Sequence, residues 1–61
     1  MTFSIGIDSG STATKGILLE DGMIRRRFLA PTPFRPADAI VEAWETLRAG
    51  LEVRPFLTLT G

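Results

Sequence analysis

The chain contains no cysteine and no histidine. That removes disulfides, thiolate-held iron–sulfur clusters and the usual zinc ligands, the staples by which many small domains compensate for a thin core. Long apolar runs are also missing. The run Ile17-Leu18-Leu19 is far short of the ~20 residues a membrane-spanning helix needs, and Asp8 interrupts the region where a signal peptide would carry its apolar segment. Charge of one sign is lacking as well: seven basic and seven acidic residues cancel, so no net field argues for nucleic acid, an anionic membrane or an acidic partner. The default expectation is a cytoplasmic protein with no membrane and no nucleic-acid partner. Length sets a further bound. At 61 residues the chain is at most one small domain or a piece of a larger one, burying only about 60% of its unfolded surface.

What is present is strongly patterned. Phe3, Ile5 and Ile7 alternate with Ser4, Gly6 and Asp8, the period of a strand over residues 2–8. After a small polar turn at Ser9 to Thr12, residues 13–20 read as a second strand carrying Ile17, Leu18 and Leu19. Asp21-Gly22 follows at once, and an Asp-Gly pair between apolar runs predicts a two-residue type I′ hairpin into a third, antiparallel strand over 23–30. Arg25, Arg26 and Arg27 lie within it. Strand alternation sends Arg26 to the opposite face from its neighbours, so the three form no single basic patch and read as charges that keep an edge strand soluble.

Pro31, Pro33 and Pro36 then interrupt regular structure. Pro36 suits the first helical position and Asp38 the positive dipole end, so a helix of about four turns is expected. Its apolar stripe is Ala37, Ile40, Val41, Ala43, Trp44, Leu47 and Leu51, with Trp44 in the core, Arg48 in the last turn and Gly50 at C′. Residues 56–60 form a fourth short strand. The order β-β-β-α-β predicts a mixed sheet with one helix, an α/β arrangement in which the fourth strand returns parallel beside the first. The helix covers one face. Strands 1 and 2 carry apolar residues toward both faces, which predicts a missing layer on the other.

One constellation can carry chemistry: Asp8-Ser9-Gly10-Ser11-Thr12-Ala13-Thr14-Lys15-Gly16. A turn centred on Gly10 can direct successive backbone N–H groups into a nest for phosphate oxygens, with Ser11 and Thr12 hydroxyls as donors and Lys15 as a point charge. Asp8 can hold Mg²⁺, directly or through water. The spacing is neither GxxxxGK[ST] nor GxGxxG, and the loop leads into a strand rather than a helix. The same residues read equally as a plain polar turn with a solvated Lys15.

The run Gly6-Ile7-Asp8-Ser9-Gly10-Ser11-Thr12-Ala13-Thr14-Lys15 resembles the first phosphate motif of the superfamily of actin, the Hsp70 ATPase domain and the sugar kinases, whose ribonuclease-H-like domain begins β-β-β-α-β. Within it, the Gly-Ser-Thr form with Lys15 three residues after Thr12 is most similar to the ATPase activators of 2-hydroxyacyl-CoA dehydratases and the related benzoyl-CoA reductase ATPase subunits. Thr60-Gly61 resembles the start of a Thr-Gly-Tyr-Gly-Arg segment of those activators.

The resemblance implies that residues 1–61 are the incomplete N-terminal part of such an ATPase domain, using ATP with Mg²⁺. Asp8 would serve Mg²⁺ through water, Gly10, Ser11 and Thr12 the phosphates, and Lys15 the phosphate charge. Family members are several times longer, act as homodimers on a dehydratase component and hold a [4Fe–4S] cluster between subunits, which this Cys-free chain cannot ligate. Their second phosphate motif and adenosine site lie beyond Gly61, so the chain alone is expected not to turn over ATP. Two other readings remain: a fragment of a sugar or small-molecule kinase of the same superfamily, and a non-enzymatic small α+β module.

Overall fold

The computed structural model describes residues 2–61. Strand β1 (Phe3–Ser9), strand β2 (Ala13–Glu20), strand β3 (Met23–Pro31), helix α1 (Pro36–Arg48) and strand β4 (Phe56–Thr60) follow one another in the expected sequence. They build one mixed sheet of order β3-β2-β1-β4, with β4 parallel to β1 and the other neighbours antiparallel. The alternation in β1 has the anticipated consequence: Ile5 and Ile7 are buried against α1, together with Leu18 of β2. The hairpin between β2 and β3 is the two-residue type expected. Asp21 and Gly22 take φ of 50° and 85°, the positive values a type I′ turn requires.

Helix α1 begins with Pro36 at its first turn and Asp38 beside it, and no side chain caps its N-terminus. At the other end Gly50 takes φ 80°, and the Leu51 N–H donates to the Arg48 carbonyl at 3.0 Å, closing the turn that leaves the helix. The buried stripe differs from the expected one. Ala39, Ala43 and Leu47 are buried, with Ile40, Trp44 and Leu51 packed beside them. Ala37 and Val41 are exposed, because the helix rolls its Ala39 edge, rather than its Val41 edge, onto the sheet. Small residues let it come close. A Cβ on Gly16 of β2 would lie 2.8 Å from the Leu47 Cδ1, inside van der Waals contact.

The arginine run is less passive than alternation suggests. A bulge between Leu18 and Leu19 makes Leu18 face Arg26 and Leu19 face Ile24, so Arg25 is the extra residue and the parity of the strand changes there. Arg25 pairs with Glu20 at 3.0 Å. Arg26 points to the helix side and donates from Nη1 to the carbonyls of Leu47 at 3.0 Å and Ala49 at 2.6 Å. These carbonyls lie at the negative end of the helix dipole, where a cation is favoured.

Among the described residues nothing covers the open face, where Phe56 of β4 stands exposed beside Ser4. Helix α1 packs on β1, β2 and β3 but not on β4, so Leu57 and Leu59, which register with Ile5 and Ile7 on the helix side, are exposed there as well. The accessible surface is 4387 Å², whereas a compact monomer of 6.7 kDa is expected to expose roughly 3,900 Å². Among the described residues, no helix is long and apolar enough to cross a membrane.

Candidate functional site

The residues singled out in the sequence gather at one end of the sheet. In the β1–β2 register Asp8 lies directly opposite Lys15, and in the β1–β4 register Asp8 lies opposite Thr60. All three side chains belong to the face that α1 leaves open, since their neighbours Ile7 and Thr14 are buried on the helix side and successive strand residues alternate. They border a shallow groove of about 260 Å³ floored by Gly6 and Ile17. Gly6 keeps this floor low. The Thr60 hydroxyl lies 3.4 Å from the Asp8 Oδ1, beyond the usual O–H···O range, so it touches the carboxylate only weakly. Among the described residues, ion pairs join Arg25 to Glu20 and Arg48 to Glu45. Lys15 takes part in neither, so its ammonium stands in solvent over the groove, available to an anion.

The β1–β2 turn differs from the expected nest. Gly10 is not among the residues with positive φ, and its N–H donates to the Ala13 carbonyl at 2.9 Å. Its own amide is thus consumed within the turn. Glycine is favoured there for a different reason, because a Cβ would sit 3.1 Å from that same carbonyl oxygen. Ser11 and Thr12 are exposed, and their N–H groups take no backbone partner among the described residues. Two amides and two hydroxyls are therefore presented at the end of the sheet beside Lys15 and Asp8. Donors of this kind around a free cation suit phosphate oxygens, and an exposed carboxylate opposite suits the waters of a hydrated Mg²⁺.

Two features of the turn were not legible as site residues. Gly61 takes φ 138°, and a Cβ on it would overlap the backbone of Ser9, so the end of β4 passes directly against the start of the loop. Thr32, which follows β3 among prolines, donates its hydroxyl to the Gly10 carbonyl at 2.7 Å and its N–H to the Thr12 carbonyl at 3.1 Å. Nothing in its sequence neighbourhood signals this. Only the pairing of β2 with β3 brings it to the loop.

No protein-family model matches the chain. In the crystal structure of the inorganic polyphosphate/ATP-glucomannokinase from Arthrobacter sp. strain KM, a similar arrangement recurs with a TM-score of 0.58 and 28% sequence identity, over 100% of this chain and 28% of that one. The strands and helix match the start of the sugar-kinase, actin-like ATPase fold. The structural neighbour is thus a sugar kinase, and the expected α/β architecture stands. The chain is also 82% identical, over all 61 residues, to the Escherichia coli (strain K12) "Uncharacterized protein YjiL", of which it covers 24%. It spans about a quarter of the length of each of these proteins.

Proposed function

We propose that residues 8–15 are the first phosphate-binding hairpin of a cytoplasmic, ATP-dependent enzyme, and that residues 1–61 are the opening part of its ATPase domain. The observation that carries this reading is the placement of Lys15, in no ion pair among the described residues, directly across from Asp8 and next to the Ser11 and Thr12 amides, which take no backbone partner among them. Ser11 and Thr12 donate to phosphate oxygens from N–H and hydroxyl, Lys15 balances their charge, and Gly10 shapes the turn. Asp8 would hold Mg²⁺ through water. Bound Mg²⁺ supplies charge neutralisation at the phosphates. Phosphoryl transfer depends mainly on such positioning and neutralisation, and one hairpin supplies only part of it.

Within that class, the finer reading is an ATPase activator of a 2-hydroxyacyl-CoA dehydratase. It rests on the Gly10-Ser11-Thr12 form with Lys15 and on the Thr60-Gly61 sequence. The homodimer, the dehydratase partner and the [4Fe–4S] cluster of that reading belong to a longer protein, since this chain has no cysteine to offer a cluster. The second reading is a sugar kinase, favoured by the likeness to the glucomannokinase.

The test of the hairpin is an NMR titration of the chain with Mg-ATP. A dissociation constant of about 1 mM or weaker is expected, near 4 kcal/mol, because no adenine pocket contributes. Shifts should centre on Asp8 to Lys15 and weaken in Lys15→Ala, while phosphate release stays at background. A silent loop at several millimolar, with Arg25 to Arg27 responding instead, refutes the proposal. The two finer readings separate on the whole Escherichia coli relative: ADP release from Mg-ATP that needs no hexose supports the activator, and release that requires a hexose supports the kinase.

A further inference from the structure

The hydrogen bonds around Thr32 form a chain with a defined direction. A threonine hydroxyl has one proton, and that of Thr32 goes to the Gly10 carbonyl at 2.7 Å. The Thr14 hydroxyl, 3.0 Å from the Thr32 oxygen, must therefore be the donor between them. Thr14 is completely buried, and Thr32 is its hydroxyl's hydrogen-bond partner. The Thr32 N–H meanwhile holds the Thr12 carbonyl at 3.1 Å. Thr32 precedes Pro33, which biases it toward the extended conformation that continues β3.

The consequence follows from peptide geometry. In a planar trans peptide the carbonyl and the following N–H point in opposite directions, and no peptide bond among the described residues is cis. Holding the Gly10 carbonyl toward Thr32 turns the Ser11 N–H away from it. Thr14 and Thr32 meet on the helix side, whereas Lys15 and Asp8 stand on the open side, so the Ser11 amide is turned away from the helix side. A carbonyl left free to rotate could instead present its negative end to the phosphates.

We propose that Thr32 is a positioning residue for the phosphate loop: through its hydroxyl it fixes the Gly10–Ser11 peptide so that the Ser11 amide donates to phosphate, with Thr14 holding Thr32 in place. This rests on the phosphate-hairpin reading given above. The ligand class is a phosphate chain as such, with no contact to a base.

The test titrates the ¹⁵N-labelled chain with Mg-ATP and, separately, with magnesium tripolyphosphate. Thr32→Val should lower affinity for both by about tenfold, as expected for loss of one hydrogen bond to a charged group, and should diminish the Ser11 amide shift most. Thr32→Ser, which keeps the hydroxyl, should restore both. Thr32→Val also orphans the buried Thr14 hydroxyl and should lose stability for that reason. Thr14→Val/Thr32→Val should regain that stability without regaining affinity. If the double variant recovers affinity along with stability, or if Thr32→Val binds like the wild type, the positioning role is overturned. If the wild-type loop itself ignores both ligands, the phosphate-hairpin reading falls, and the role of Thr32 falls with it.

Discussion

Gly16→Ala is the smallest change that tests how α1 sits on the sheet. The new Cβ would meet the Leu47 Cδ1 at 2.8 Å, whereas its next neighbours, the Gly6 carbonyl at 3.5 Å and the Phe28 Cβ at 3.6 Å, are in ordinary contact. Leu47 is fully buried and cannot swing into solvent, so the conflict has to move the helix or force a poor rotamer. Overpacking of this kind costs about 1–3 kcal/mol, partly offset by the ~0.5–1 kcal/mol that alanine gains over glycine in a strand. A net loss of about 1 kcal/mol is expected, a large share of the roughly 3–9 kcal/mol available to a chain of 61 residues. Leu47→Ala alone should cost about 2–5 kcal/mol. In that background the obstacle is gone, and Gly16→Ala should become neutral or stabilising. Urea denaturation of the four proteins, with a fixed concentration of trimethylamine N-oxide to keep folded baselines, measures the cycle. A coupling of about 1 kcal/mol or more is expected. Additivity within about 0.3–0.5 kcal/mol, or a stabilising Gly16→Ala in the native background, would refute the close approach at Gly16.

Arg26→Met keeps much of the side chain's length but removes the donor to the Leu47 and Ala49 carbonyls. It should destabilise by about 1–2 kcal/mol and speed amide exchange in the last turn of α1; an Arg27→Met control should do neither, and equal effects would show that the helix end is not held by Arg26. The open sheet face and bare β4 should make the chain self-associate as its concentration rises. Sedimentation that stays monomeric, with a sharp melting transition independent of concentration, would contradict this.

Local rules carried the sequence a long way. Alternation in β1, Asp21-Gly22 and the Pro36 start each act within a few residues, so they specified the strands, the hairpin and the helix, and the crossover length then fixed β4 beside β1. What was missed depends on pairing across elements. The bulge at Arg25 arises from how β3 meets β2, and it decides that Arg25 serves Glu20 while Arg26 serves the helix end. The roll of α1, which buries Ala39 and exposes Val41, is a matter of helix against sheet and brings Leu47 close over Gly16. The residues of the proposed phosphate hairpin were legible as composition, since Asp8, Ser11, Thr12 and Lys15 sit within eight residues of one another. The way the turn is held was not, because the Gly10 N–H turns back to the Ala13 carbonyl while the Gly10 carbonyl takes the hydroxyl of Thr32. From sequence, Thr32 is only a residue between two prolines.

The attachment of β4 has a kinetic side. Strands β1 to β3 are joined by tight turns and find one another through short-range contacts, while the Asp8–Thr60 contact closes a separation of 52 residues. Pairings of that range form late and open early, and β4 has no helix above it to hold it down. The expected order of assembly is therefore the turn with Lys15 first, then the arm bearing Thr60 and Gly61. A ligand that touches both arms acts as a fastener, drawing the last strand into the sheet by the free energy of its own binding.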